Sequence, residues 1–332
     1  MIGDTRYFGS GGAGAAPNFC PPGERTMAIL PYRQRLLSRL LICSGAMAAF
    51  LAWPVGAQAQ DNSAFHEIET KYIFGNFTVG SSTGLQGEMA FEPESEADFG
   101  KRFGNYVATG TALEFEYTPT QFMQVEFGPT VSYYNINNVP GLDNRNMLGV
   151  NGFESAFRFL LVERGPSPFV VTLSVEPEFH SLDETSGASV QNYGLETKIE
   201  ADTELIKNRL FLAFNLLYEP ETTGVATMGT TLGWSNESTL GISSALAFQI
   251  FPKVVIGIDL WYLRHYDGVA FNSFTGDAVY LGPTFFWQIA PKVLISAAWE
   301  AQVAGSEVGV ASPLDLTDFF RERARLLVEF EF

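Results

Sequence analysis

Cysteine is nearly missing from this chain: Cys20 and Cys43 are the only two in 332 residues, and both precede Pro54. From residue 60 onward a disulfide framework, a thiolate zinc site and an iron–sulfur site are therefore excluded. Long hydrophobic runs are missing too. After Pro54 no window holds about 18 consecutive apolar residues, so no transmembrane helix is expected there. Basic charge is scarce, with 20 Lys and Arg against 37 Asp and Glu, a net charge of −17. A nucleic-acid partner needs a basic face, so none is expected. No nucleotide-binding glycine loop, GxSxG elbow or HExxH pair occurs, and the expectation is no cofactor, no metal and no catalytic residue.

Aromatic and small residues are abundant: 29 Phe, 12 Tyr and 32 Gly, at a mean hydropathy of only +0.07. That balance suits strands with one apolar and one polar face. The front of the chain reads differently. Arg33, Arg35 and Arg39 precede a short apolar run, Leu40 to Trp53, and then Ala57-Gln58-Ala59. This is the layout of a secretory signal peptide, assigned to 27–59 with cleavage after Ala59. Residues 1–26, ahead of Met27, read as an upstream extension, and 60–332 as the mature domain. Ile42 before Cys43 argues against a lipid anchor.

Period-2 alternation recurs from Phe65 to the end. Val125, Phe127, Pro129, Val131 and Tyr133 share one face, and Gln124, Glu126, Gly128, Thr130 and Ser132 the other. Phe169 to His180 repeats the pattern. Short turns at Thr118-Pro119-Thr120, 164–167, Lys207-Asn208, Phe251-Pro252-Lys253 and Ala290-Pro291-Lys292 separate long strands. Proline lacks an N–H and belongs in such turns. Longer polar connections, near 78–104, 135–146, 182–189, 220–235, 267–275 and 305–319, alternate with them. Ten strands follow from the five turns; a first near 65–77 and a last near 320–332 make twelve. A hairpin hidden around Leu85 to Phe91 would make fourteen.

The last residues, Arg323 to Phe332, put Leu326, Val328, Phe330 and the terminal Phe332 on one face. This resembles the carboxy-terminal signal of Gram-negative outer-membrane β-barrels, and the wider resemblance covers Phe65 to Phe332. It implies a closed antiparallel transmembrane β-barrel, with outer-membrane lipids, lipopolysaccharide and the barrel-assembly machinery as partners. Closure then pairs first and last strands, each carrying two inward acids: Glu67 and Glu69, and Glu329 and Glu331.

With polar positions inward, the lumen acids are Glu67, Glu69, Glu114, Glu116, Glu126, Glu154, Glu176, Glu178, Glu300, Glu329 and Glu331, with Glu196, Glu200, Asp202 and Asp259. The lumen bases are Lys71, Arg158, Lys198, Arg321, Arg323 and Arg325. Such an excess of acids points to a passive channel for small solutes with slight cation preference. The alternatives are a closed structural or surface-interaction barrel sealed by salt bridges, and a rim enzyme built on His180 beside Glu178 or His265 beside Asp267. Glu92, Glu94, Glu96 and Asp98 read as an acidic solvated loop. Trp261 shares a face with Asp259 and should point inward, whereas most other aromatics should form interfacial girdles.

Overall fold

The computed structural model describes residues 65, 68–165, 167–227 and 231–332, with only the backbone of 226, 227, 231 and 232. The segment 27–59 read as a signal peptide, the start read at Met27, His66 and Glu67 lie outside the described residues. The chain forms twelve strands and no helix among the described residues. They are β1 (Met89–Phe99), β2 (Asn105–Thr120), β3 (Met123–Asn137), β4 (Arg145–Val162), β5 (Phe169–Leu182), β6 (Ser189–Ile206), β7 (Leu210–Thr227), β8 (Thr231–Phe251), β9 (Val254–Asp267), β10 (Phe274–Ala290), β11 (Val293–Glu307) and β12 (Glu322–Glu331). Each pairs antiparallel with its neighbours in sequence, and β12 returns to β1 to close a barrel. Closure leaves no unpaired edge, the condition a sheet must meet in hydrocarbon.

Alternation sets the two faces. On β3, Gln124, Glu126, Thr130 and Ser132 are buried inward while Phe127 is exposed outward. On β5, Thr172, Ser174 and His180 are buried inward, and Phe169 and Phe179 face out. Around the circumference Phe115, Phe153, Ile199, Leu216, Ile242, Ile256, Phe285 and Trp299 continue this exposed apolar surface. So large a belt of exposed hydrophobics is unstable in water and fits a hydrocarbon slab.

The first strand is not where alternation near 65–77 puts it. Residues 68–88 form no strand of the wall, and the strand closing on β12 is β1, through the segment read as an acidic loop. Its register runs from Ala90 opposite Glu331 to Phe99 opposite Glu322. The outward face of β1 has bulky apolar residues only toward its ends, Met89, Phe91 and Phe99, and carries Pro93, Ser95 and Ala97 across its middle, so the usual lipid-facing signal is weak. Its acids alternate all the same. The extra hairpin, and with it the fourteen-strand alternative, does not form. The 220–235 connection is also mostly strand, since β7 reaches Thr227 and β8 starts at Thr231. Beyond the hydrocarbon an outward residue no longer has to be apolar, and a polar strand end then reads as a loop.

Short turns cluster at one end of the barrel, and the broader connections, the longest being 308–321, at the other. At the turn end Phe332 N–H donates to the Met89 carbonyl at 3.0 Å, locking the closing seam. There too Asn208 Nδ2 donates to the Phe65 carbonyl at 3.1 Å, where the chain enters the lumen.

From that entry residues 68–84 fold up inside the barrel and back. The reversal is at Gly75 and Asn76, with φ of 89° and 69°. A Cβ on Gly75 would sit 2.7 Å from Thr284 on the wall, and one on Gly80 would sit 2.0 Å from the Thr70 carbonyl on the opposite limb. Only glycine allows both approaches. Ile73 and Phe74 are fully buried against Phe211, Ala247, Val255, Phe286 and Leu327. Each such side chain removed from water contributes about 1.5–3 kcal/mol. The plug thus has an apolar footing on the β7–β12 wall.

Candidate functional site

The other side of the plug meets charge. Lys71, read from sequence as a wall residue, is on the plug itself, 3% exposed. Its ammonium pairs with Glu116, with Glu126 at 2.7 Å and with Glu92 at 3.7 Å. Tyr72 donates to Glu92 at 2.5 Å, and Asn76 to Glu94. At the tip, Thr78 gives its N–H and hydroxyl to Asp259 at 2.9 and 2.7 Å, and its Oγ1 lies 2.6 Å from Ser243. Val79 exchanges two hydrogen bonds with the Asn215 amide, at 2.7 and 2.8 Å. On the returning limb Ser81 N–H donates to Asp202 at 2.8 Å. Arg158 reaches the Gly80 and Ser82 carbonyls at 2.9 and 3.2 Å while paired with Glu200 at 2.8 Å. Arg325 donates to the Asn76 carbonyl at 2.6 Å and pairs with Glu94 and Glu96. Buried charges persist only when matched in this way.

The remaining lumen residues divide by height. Glu300 holds Arg323 at 2.6 Å, and Lys198 bridges Glu196 at 2.5 Å and Glu176 at 3.7 Å. Glu114 lines a gap of about 140 Å3 beside the plug. Glu69, Glu329 and Glu331 surround a recess of about 90 Å3 at the turn end, where Lys292 lies 3.5 Å from Glu331. Arg321 is exposed just before β12 and does not extend the lumen column. Phe330 and Phe332 are exposed on the outer face, and Val328 precedes them on the same face.

Above the plug, toward the loop end, the lumen opens into two adjoining cavities of about 310 and 420 Å3 that share Glu96, Asp98, Glu184, Glu219 and Arg323. Phe77 of the plug lines the first. Eight carboxylates line that cavity, those of Glu94, Glu96, Asp98, Glu154, Glu178, Glu184, Glu196 and Glu219, against Lys198, Arg323 and Arg325. The β1 acids in this vestibule were missed as lumen residues; their strict every-second-residue spacing was the signal available. Trp261 points inward and is buried beside Asp259.

The loop 308–321 folds over this end. Lys101 donates to the Thr317 and Phe319 carbonyls at 2.9 and 3.1 Å and sits 4.0 Å over the Phe320 ring. Burial pulls its ammonium down to about 8. Burial, with the Asp318 charge adding to it, pushes the Asp315 carboxyl up to about 7. His265 touches the Thr275 hydroxyl at 2.8 Å, Glu237 at 3.4 Å and Asp318 at 4.0 Å, tying β9 to this loop. His180 lies between Glu154 at 3.0 Å and Glu184 at 3.1 Å.

Residues 66–332 match the model of a family of unknown function, DUF6662. No curated protein matches the chain in sequence. Among solved structures, the COG4313 outer membrane channel from Pseudomonas putida F1 superposes with a TM-score of 0.52 at 11% identity, covering 76% of this chain and 98% of that one. The NanC porin follows at 0.42 and 10% identity, over 72% and 98%, and the KdgM porin with disordered oligogalacturonate at 0.40 and 11%, over 73% and 99%. The first of these likenesses is one of fold, a barrel of outer-membrane type.

Proposed function

The chain belongs to the DUF6662 family, whose function is unknown, so its role must come from its own residues, and we propose an outer-membrane channel for small solutes with slight cation preference. The observation that carries this reading is the acid-lined vestibule leading from the loop end to the plug. Carboxylates behind low-dielectric walls concentrate cations and neutral solutes over anions. The exposed apolar belt supports lipid and lipopolysaccharide as surroundings, and the terminal aromatic supports delivery by the barrel-assembly machinery. In this reading the plug is the gate: solute waits above it and passes when residues 68–84 shift.

Planar-bilayer recording of the refolded chain tests the proposal. The expected result is intermittent conductance with a cation-favouring reversal potential under a salt gradient. Replacing Asp98 by Asn and Glu219 by Gln should move that potential toward zero, and raised salt should do the same by screening. The density of plug-to-wall contacts favours a second reading, a permanently closed barrel. Silence both in the wild type and in a variant with the plug anchors neutralised would select it.

A further inference from the structure

We propose that Glu178, His180 and Glu184 form a binding site for a divalent transition-metal ion of the zinc class at the mouth of the vestibule, with Glu154 orienting the histidine. Ligand atoms of the first three lie within 4.8 Å of one another. Tetrahedral ligands about 2.0 Å from zinc are roughly 3.3 Å apart, so a small inward shift completes the set. Glu184, the most exposed of the three side chains at 60%, is free to make it.

The site stands on more than proximity of acids. His180 is 3% exposed, and both ring nitrogens face carboxylates: Nε2 meets Glu154 at 3.0 Å, and Nδ1 meets Glu184 at 3.1 Å. A neutral imidazole has one N–H and satisfies only one of them. The ring therefore either carries a second proton or presents an Nδ1 lone pair to a cation held between itself and the acids. In the second case Nε2–H donates to Glu154, the carboxylate–histidine–metal arrangement that fixes the tautomer and raises ligand basicity. Glu178, two residues earlier on the same face of β5, has no ion-pair or hydrogen-bond partner among the described residues, and supplies the third donor.

The backbone holds this geometry without a metal. Asp183 receives the Gly187 N–H at 2.7 Å and donates its own to the Ala188 carbonyl at 2.8 Å. Its carboxylate accepts the Ser186 N–H at 2.7 Å, and Tyr106 caps the Thr185 carbonyl at 2.8 Å. Glu184 is thus carried on a braced loop over His180. One imidazole and two carboxylates, with room for water on the cavity side, suit zinc and its first-row neighbours better than calcium, which takes oxygen ligands alone. The surrounding acids raise the local cation concentration. The inference does not depend on whether the barrel conducts.

Calorimetric titration of ZnCl2 into the refolded full chain tests it. The expectation is a zinc equivalent that disappears in His180→Ala and weakens by about 10- to 100-fold in Glu154→Gln, the usual loss for an orienting carboxylate. Millimolar CaCl2 should not displace it. Heat-modifiable gel mobility establishes that each variant is folded, and cobalt(II) in place of zinc reports nitrogen coordination through its visible spectrum. Absence of zinc binding to folded wild type, binding unchanged by His180→Ala, or displacement by calcium would each overturn the assignment.

Discussion

Replacing Lys71 by methionine removes the ammonium that pairs Glu116, Glu126 and Glu92 and leaves the three carboxylates facing one another. With Lys71 only 3% exposed, solvent cannot take over its role. Breaking a buried ion pair from one side costs about 3–5 kcal/mol. That cost falls on the seating of residues 68–84, because Lys71 is on the plug and its partners are on the wall. The seated fraction relative to the displaced one should fall by roughly a hundred- to a few-thousand-fold. The barrel itself should persist, since no ladder bond changes. In bilayers Lys71→Met should open far more often than wild type, and residues 68–84 should lose hydrogen-exchange protection while the strands keep theirs. Adding Glu92→Gln, Glu116→Gln and Glu126→Gln should restore much of the seating, because a fully neutral cluster leaves no buried charge. Cysteines at Thr78 and Ser243, whose hydroxyls are 2.6 Å apart, should lock the tip when oxidised and silence the channel until reduced. If Lys71→Met gives wild-type conductance and wild-type protection of residues 68–84, the ion cluster does not hold the plug.

Deleting Phe332 should sharply lower the amount of folded barrel in outer-membrane fractions, because its N–H closes the seam on Met89 and its ring ends the outward apolar face; normal levels of the heat-modifiable form would refute this. Leu173→Arg, on the lipid face of β5, should cost about 2–4 kcal/mol in refolding titrations if it lies near the midplane, whereas Gly110→Arg, which points into open space in the vestibule, should cost much less. The Asp315 carboxyl, pushed up to about 7, makes docking of loop 308–321 strongest below about pH 4, where both states are protonated, and weaker as pH rises through 7. Protection factors in that loop should fall over this range, and Asp315→Asn should flatten the dependence; protection that rises with pH would contradict it.

How far the sequence discloses this fold depends on what each strand shows to lipid. On β3 and β5 Phe127, Val131, Leu173 and Phe179 stand at every second position, so faces and register are legible. On β1 the middle outward places go to Pro93, Ser95 and Ala97, with Met89, Phe91 and Phe99 only toward the ends, and the same period passes for a loop rich in acid. The count of twelve survived because a false strand at 65–77 stood in for the true one at Met89–Phe99. The plug was beyond reach for a different reason. Its contacts join residues as far apart as Asn76 and Arg325, 249 positions along the chain, and no local pattern encodes them.

That misassignment changes what the inward acids do. Read as the wall of an empty lumen, Glu116, Glu126, Asp202 and Asp259 would all add to a field acting on solutes. In the folded barrel each of them is matched to the plug: the first two to Lys71, Asp202 to Ser81 and Thr70, and Asp259 to Thr78. Their negative charge is largely answered before a solute arrives. The field in the vestibule comes instead from acids such as Asp98, Glu154, Glu178, Glu184 and Glu219, with Glu94 and Glu96 partly neutralised by Arg325. On the proposed channel reading, cation preference, and any metal held at His180, would depend on the loop-end half of the lumen. The turn-end acids govern whether the plug is seated, so selectivity and gating should separate under mutation: Asp98 and Glu219 moving the reversal potential, Lys71 and its partners moving the open fraction.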